Sequence, residues 1–104
     1  MPLVRLQPSV PMAQSKTIST QVRVQNKLGL HARPVTLIVR LAKTFACRVS
    51  LERAGTVSDA KSVMALLLLA AEKGTELTVT AEGHDAEEAV EALERLFSDK
   101  FGEE

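Results

Sequence analysis

Apolar and polar residues alternate from Thr17 to Val24. Ile18, Thr20, Val22 and Val24 share one side, and Thr17, Ser19, Gln21 and Arg23 share the other. A period of two predicts a half-buried strand. After the loop 25–30 the period lengthens. Val35, Ile38, Val39, Ala42 and Phe45 recur at helical spacing, so a helix starting near His31 carries one core-facing stripe. Pro34 suits its first turn, where a missing N–H has no helical partner to lose. Cys47, Val49 and Leu51 then alternate with Arg48, Ser50 and Glu52 in a second strand. Ala54-Gly55 predicts a turn into a short third strand, Thr56 to Asp59, so the two strands pair as a hairpin. Ser62 to Ala71 is too rich in Leu and Ala for another strand and predicts a short helix stopped by Lys73-Gly74. Leu77, Val79 and Ala81 mark a fourth strand, and Gly83-His84 turns the chain. Asp85 and Glu88 have capping-box spacing ahead of a last helix with the stripe Ala89, Val90, Leu93, Leu96 and Phe97.

The order is βαββαβα. Each strand has one apolar face, and an open sheet with helices stacked on one side covers all of them, an α+β arrangement. A length of 104 residues suits one domain. That domain is expected over 16–104. Residues 1–15 hold Pro2, Pro8 and Pro11 and no unbroken apolar stretch, so a flexible tail is expected, with Met12 an alternative translation start. The longest apolar run, Val63 to Ala71, is far short of the roughly 20 residues of a membrane span, so no membrane association is expected. A single cysteine, Cys47, cannot close an internal disulfide, which points to a cytoplasmic location.

Thirteen Lys and Arg are balanced by thirteen Asp and Glu, so there is no basic surplus to neutralise a phosphate backbone. With no Trp, no Tyr and three Phe, base stacking also lacks side chains, and a nucleic-acid partner is not expected.

His31 is the first chemical candidate. It stands at a helix start, in Gly29-Leu30-His31-Ala32-Arg33-Pro34. The free N–H groups of such an end, here those of Ala32 and Arg33, and the positive end of the helix dipole make an anion site. A neutral, exposed imidazole is a nucleophile, and a phosphoryl group placed on it would have its oxygens held by those N–H groups. Arg33 adds a planar guanidinium suited to bidentate phosphate contact, and Gly29 allows close backbone approach. The alternative is a histidine that only caps or packs at the helix start.

The segment Gly29-Leu30-His31-Ala32-Arg33-Pro34 resembles the active-site signature of HPr, the histidine-containing phosphocarrier family of the bacterial phosphoenolpyruvate phosphotransferase system. The resemblance runs from Thr17 to Phe101. Lys61-Ser62-Val63-Met64, at the right distance, resembles the family's regulatory-serine segment. Asn26-Lys27-Leu28-Gly29, Ser62-Val63, Ala65-Leu66-Leu67 and the ending Leu96-Phe97-Ser98 with Phe101 resemble the nitrogen-related branch, NPr. The resemblance implies an open-faced β-sandwich, a four-stranded antiparallel sheet with three helices on one face. It implies phosphate carried on Nδ1 of His31, with Arg33 stabilising it. It also implies phosphorylated enzyme I as donor and an EIIA-type protein as acceptor. The chain would then be a carrier rather than a free-standing enzyme. A regulatory module that signals through its phosphorylation state is the other reading in the same system.

Ser62 is a good N-cap by its own chemistry. The resemblance adds the reading of a regulatory site for HPr kinase/phosphorylase, where phosphate would put roughly −2 charge beside a docking surface. The helix it starts has too many apolar residues for one buried stripe. Leu66, Leu69 and Ala70 lie on one arc, Val63, Met64 and Leu67 on the next, with Leu68 beyond. An arc left exposed is an apolar patch of the kind that meets a partner. The resemblance assigns Val63, Met64 and Leu67 to it. Cys47 on an apolar strand face is expected to be an inert buried thiol. Neither it nor His84 has zinc-ligand spacing, so no metal or cofactor is expected, and the carrier is expected to be a monomer. Arg40 and Lys43 project from the first helix as solvated cations that could meet acidic partners.

Overall fold

A computed structural model describes residues 16–103. The expected tail, 1–15, and the Met12 start lie outside the described residues. Strand β1 spans Lys16–Arg23, helix α1 Ala32–Lys43, β2 Arg48–Arg53, β3 Thr56–Asp59, α2 Val63–Leu69, β4 Glu76–Gly83 and α3 Ala86–Ser98. A single 3-10 turn, Lys100–Gly102, follows α3. The four strands form one sheet in the order β1-β4-β2-β3, with β2 and β3 paired as the expected hairpin and every pairing antiparallel, as the resemblance implied.

Register explains which face is buried. Ile18, Thr20 and Val22 stand opposite Ala81, Val79 and Leu77, and Val49 and Leu51 stand opposite Ala81 and Val79. These side chains therefore share one face of the pleat. The three helices cover that face, and Leu51, Leu77, Val79, Ile38, Leu66, Leu93 and Phe97 are buried beneath them. Each such aliphatic side chain contributes about 1.5–3 kcal/mol relative to exposure. The opposite face is polar, with Ser19 Oγ and Thr80 Oγ1 2.9 Å apart and Arg23 paired to Glu76 at 2.7 Å.

Two helix ends depart from expectation. Helix α2 stops at Leu69 with Ala70 as a left-handed cap (φ 51), before the Lys73-Gly74 stop expected from the sequence. Ala70 is consequently exposed rather than packed with Leu66 and Leu69. The early turn buries Ala71 and brings its carbonyl to the N–H of Leu30 at 2.9 Å, while Arg53 Nη1 donates to the Leu69 carbonyl at 2.7 Å. At α3 the capping box does not form. The Asp85 side chain makes no bond to its own helix, because its carboxylate accepts from the N–H groups of Ala46 (2.8 Å) and Cys47 (2.9 Å). Those bonds tie the start of α3 to the chain entering β2, and the Ala46 N–H leads in holding the Asp85 carboxyl below its ordinary value.

Phe101 shapes the C-terminal end. Lys100 and Phe101 both adopt left-handed backbone conformations (φ 55 and 57), unfavourable for residues with a Cβ. The bend puts the Phe101 ring in the core, edge-on to Phe97 with centroids 4.9 Å apart, and that burial offsets the strain. It also directs the last described residues back toward the start of α1.

Candidate functional site

His31 occupies the N-cap of α1 in extended backbone conformation (φ −93, ψ −168), and its carbonyl accepts the first helical bond, from Val35 N–H at 3.0 Å. Its side chain makes no bond to the helix it caps. Among the described residues, the N–H groups of Ala32 and Arg33 have no partner either, and Pro34 has none to offer. The helix start is thus open, with a half-exposed imidazole beside two free donors and no acidic residue in the first turn.

Gly29 makes this placement. Its φ of +72 lies where L side chains are strained, and a Cβ there would come within 2.7 Å of the Ala71 carbonyl oxygen. Only a glycine lets Leu30 reach that same oxygen, so the loop carrying His31 is fastened to the chain leaving α2. Leu30 is buried, and His31 follows it directly out to the surface.

Two residues that sequence reasoning missed complete the site. Glu103, 72 residues from His31, brings its carboxylate to the imidazole Nε2, with Oε1 and Oε2 at 3.3 and 3.2 Å. Asn26, fully buried, donates through Nδ2 to the Gly29 carbonyl at 2.7 Å and to Glu103 Oε1 at 3.1 Å. Arg33 Nη1 donates to Glu103 Oε2 at 3.0 Å and to the Phe101 carbonyl at 2.9 Å. Burial of the Glu103 carboxyl would raise its pKa, but the bonds from Asn26, His31 and Arg33 prevail and hold it below the ordinary value. It is therefore a carboxylate, able only to accept.

The other candidates separate into a surface and a core. Ser62 caps α2, its Oγ accepting from Ala65 N–H at 3.1 Å. Beyond it Val63, Met64, Leu67 and Leu68 are 42%, 67%, 38% and 77% exposed, whereas Leu66 and Leu69 are buried, so one arc faces the core and the other faces solvent. Leu28, in the loop before His31, is also exposed. Cys47 is buried, and that burial, with Asp85 beside it, pushes its thiol up to about 11. His84 is exposed on the turn after β4, and Arg40 and Lys43 project from the last turn of α1.

Against known proteins, a family model described as the PTS HPr component phosphorylation site matches residues 18–99. The chain belongs to the HPr family. The match takes in β1 from Ile18 onward, the other three strands and all three helices, together with the His31 loop. The phosphocarrier protein HPr of Treponema pallidum is 46% identical over 80% of this chain and 94% of its own length. The phosphocarrier protein NPr of Escherichia coli is 40% identical over 85% of this chain and 99% of its own. The crystal structure of HPr-C-His from Thermoanaerobacter tengcongensis superimposes with a TM-score of 0.81 at 39% identity, covering 84% of this chain and 98% of that one. HPr and NPr thus both stand among its relatives, and the four-stranded antiparallel sheet with three helices is the HPr fold.

Proposed function

We propose that this phosphocarrier takes its phosphoryl group from phosphorylated enzyme I on Nδ1 of His31 and passes it to an EIIA-type protein. The observation that carries the reading is the open start of α1. There a half-exposed imidazole caps a helix without bonding to it, and the first-turn N–H groups of Ala32 and Arg33 are free for phosphoryl oxygens. The choice of nitrogen follows from occupancy. Nε2 is engaged by Glu103, and among the described residues Nδ1 has no partner. Arg33, more than half exposed, supplies the cation whose fork matches a phosphoryl group. As a carrier it alternates between two proteins and turns over no small molecule of its own.

Val63, Met64 and Leu67 form the docking surface in this reading, and Ser62 stands at its rim. Three exposed apolar side chains on consecutive turns of a seven-residue helix serve association better than they serve solubility. Charge on Ser62 would enter the desolvated edge of that contact.

The test is incubation with enzyme I and labelled phosphoenolpyruvate. Label that is lost in acid, kept in base and absent from His31→Ala supports the assignment. Label that persists in His31→Ala overturns it.

A further inference from the structure

We infer that Asn26 is a positioning residue whose side-chain amide latches the Gly29–Leu30 peptide plane and so sets the loop that presents His31. This rests on the proposal that His31 is the phosphoryl acceptor. Asn26 is fully buried, and its Nδ2 donates to the Gly29 carbonyl at 2.7 Å and to Glu103 Oε1 at 3.1 Å. Both partners are acceptors, so the amide cannot be reversed. Its Oδ1 is left buried without a partner, a penalty that an apolar residue in the same place would avoid. What the position uses is the donor.

That donor acts on a peptide plane held at both edges. The Gly29 carbonyl accepts from Asn26 Nδ2 and, at 3.0 Å, from the His31 N–H. The N–H of the same plane, that of Leu30, donates to the Ala71 carbonyl at 2.9 Å. Asn26 also closes the turn through its backbone, its carbonyl accepting from Gly29 N–H at 3.2 Å. A plane beside a glycine at φ +72 has little steric resistance to turning over, since no Cβ fixes its setting. Turning it would break the Leu30 bond to Ala71 and the His31 bond to Gly29 together. Without the Asn26 amide, the carbonyl edge is held by the His31 N–H alone, across a turn of three residues.

The latch also decides where the open donors begin. The N–H groups of Gly29, Leu30 and His31 are all bonded inside the protein, and those of Ala32 and Arg33 are the first without a partner among the described residues. With the plane fixed, the imidazole and those two donors keep one relative geometry, which a phosphoryl group bound to all three requires. With the plane loose, the ring and the donors move against each other, while the docking side chains on α2 stay as they are.

The test uses full-length protein. In the wild type, NMR couplings across hydrogen bonds should join Asn26 Nδ2 to the Gly29 carbonyl carbon and Leu30 N to that of Ala71. Asn26→Ala removes the donor, and Asn26→Val removes it while filling the space. Both should weaken the Leu30–Ala71 coupling and lower kcat for labelling by enzyme I about three- to tenfold, the worth of one neutral hydrogen bond. KM for the carrier should not change, because Val63, Met64 and Leu67 are untouched. Absence of either coupling in the wild type overturns the inference, as does a full Leu30–Ala71 coupling or a wild-type kcat in the variants. Slowing confined to Asn26→Ala would trace to a void and overturn it as well. So would slowing that disappears in a Glu103→Ala background, since Asn26 would then act only through Glu103. If the wild type takes no label, the acceptor reading fails, and the couplings alone decide whether Asn26 holds the peptide.

Discussion

At the start of α1 the capping side chain makes no bond to its helix; at the start of α2 it does. His31 leaves the Ala32 and Arg33 N–H groups open and turns its ring to Glu103, whereas the Ser62 hydroxyl is committed to Ala65 N–H. Both ends have the same positive dipole and the same shortage of acceptors. The difference is who fills the shortage. At α2 the chain fills it locally, which stabilises the helix. At α1 it is left for an incoming group, and the imidazole is held by a carboxylate from the far end of the chain instead. The α3 start is a third case, because Asp85 is drawn away to bind Ala46 and Cys47.

Exchanging the caps for alanine should separate the two roles most widely. His31→Ala should lose all transferable label and melt near the wild type, since the imidazole bonds nothing in its own helix. Ser62→Ala should keep the label and lose about 1 kcal/mol of stability, the usual worth of a serine cap. A His31→Ala protein that melts far lower, or a Ser62→Ala protein that takes no label, would collapse the distinction.

Arg33 tests whether the open end needs shape as well as charge. Its guanidinium meets two acceptors from one nitrogen, Nη1, namely Glu103 Oε2 and the Phe101 carbonyl, leaving Nη2 and Nε for phosphoryl oxygens. Lysine keeps the charge but not the planar fork. Arg33→Lys should therefore slow transfer roughly tenfold, the equivalent of one charge-assisted hydrogen bond. Stopped-flow rates equal to the wild type would remove Arg33 from the reaction.

The third helix start predicts a pH effect of opposite character, structural rather than chemical. Bonds from Ala46 and Cys47 lower the folded-state pKa of Asp85 below its unfolded value. The stability this gives is complete above the unfolded value and is lost as pH falls through the folded one. Asp85→Asn should thus melt a few degrees below the wild type at neutral pH, with the gap closing in acid. A gap that stays constant across the acid range would assign the effect to packing.

These three starts also show what the sequence makes legible. The strands, the stripes of α1 and α3 and the hairpin at Ala54-Gly55 are written in local periodicity, and the fold follows from them. His31, Ala32 and Arg33 are adjacent in the chain, so their grouping at a helix start is legible as well. Glu103 and Asn26 are not, because Glu103 reaches His31 and Asn26 only after Phe101 has turned the C-terminal end inward through two left-handed residues. The end of α2 is hidden for the same reason. Ala70 takes a conformation its side chain disfavours because Ala71 must meet Leu30 across the molecule. Asp85 has capping-box spacing, yet partners 38 and 39 residues earlier in the chain outcompete its own helix. In each case a long-range hydrogen bond overrides a local preference worth about 1 kcal/mol.

The smallest effect on stability and the most specific effect on docking meet at Ser62→Asp. An aspartate is itself a good cap, and the dipole and the Ala65 N–H favour an anion at this end. The domain should therefore melt within a few degrees of the wild type. Val63 and Met64 follow directly and are exposed, so the new carboxylate stands at the rim of the proposed docking surface. Docking would then have to desolvate it, and an acidic partner face would repel it. His31 should be phosphorylated by enzyme I more slowly than in the wild type. Salt should relieve the repulsive part of that slowing but not the desolvation part, since screening acts on exposed charge pairs. Wild-type rates in Ser62→Asp would leave this residue as a cap and nothing more. A much lower melting temperature would mean that the α2 start, unlike that of α1, cannot accept a full negative charge, and the contrast between the two helix ends would then lie in their tolerance of anions rather than in who fills them.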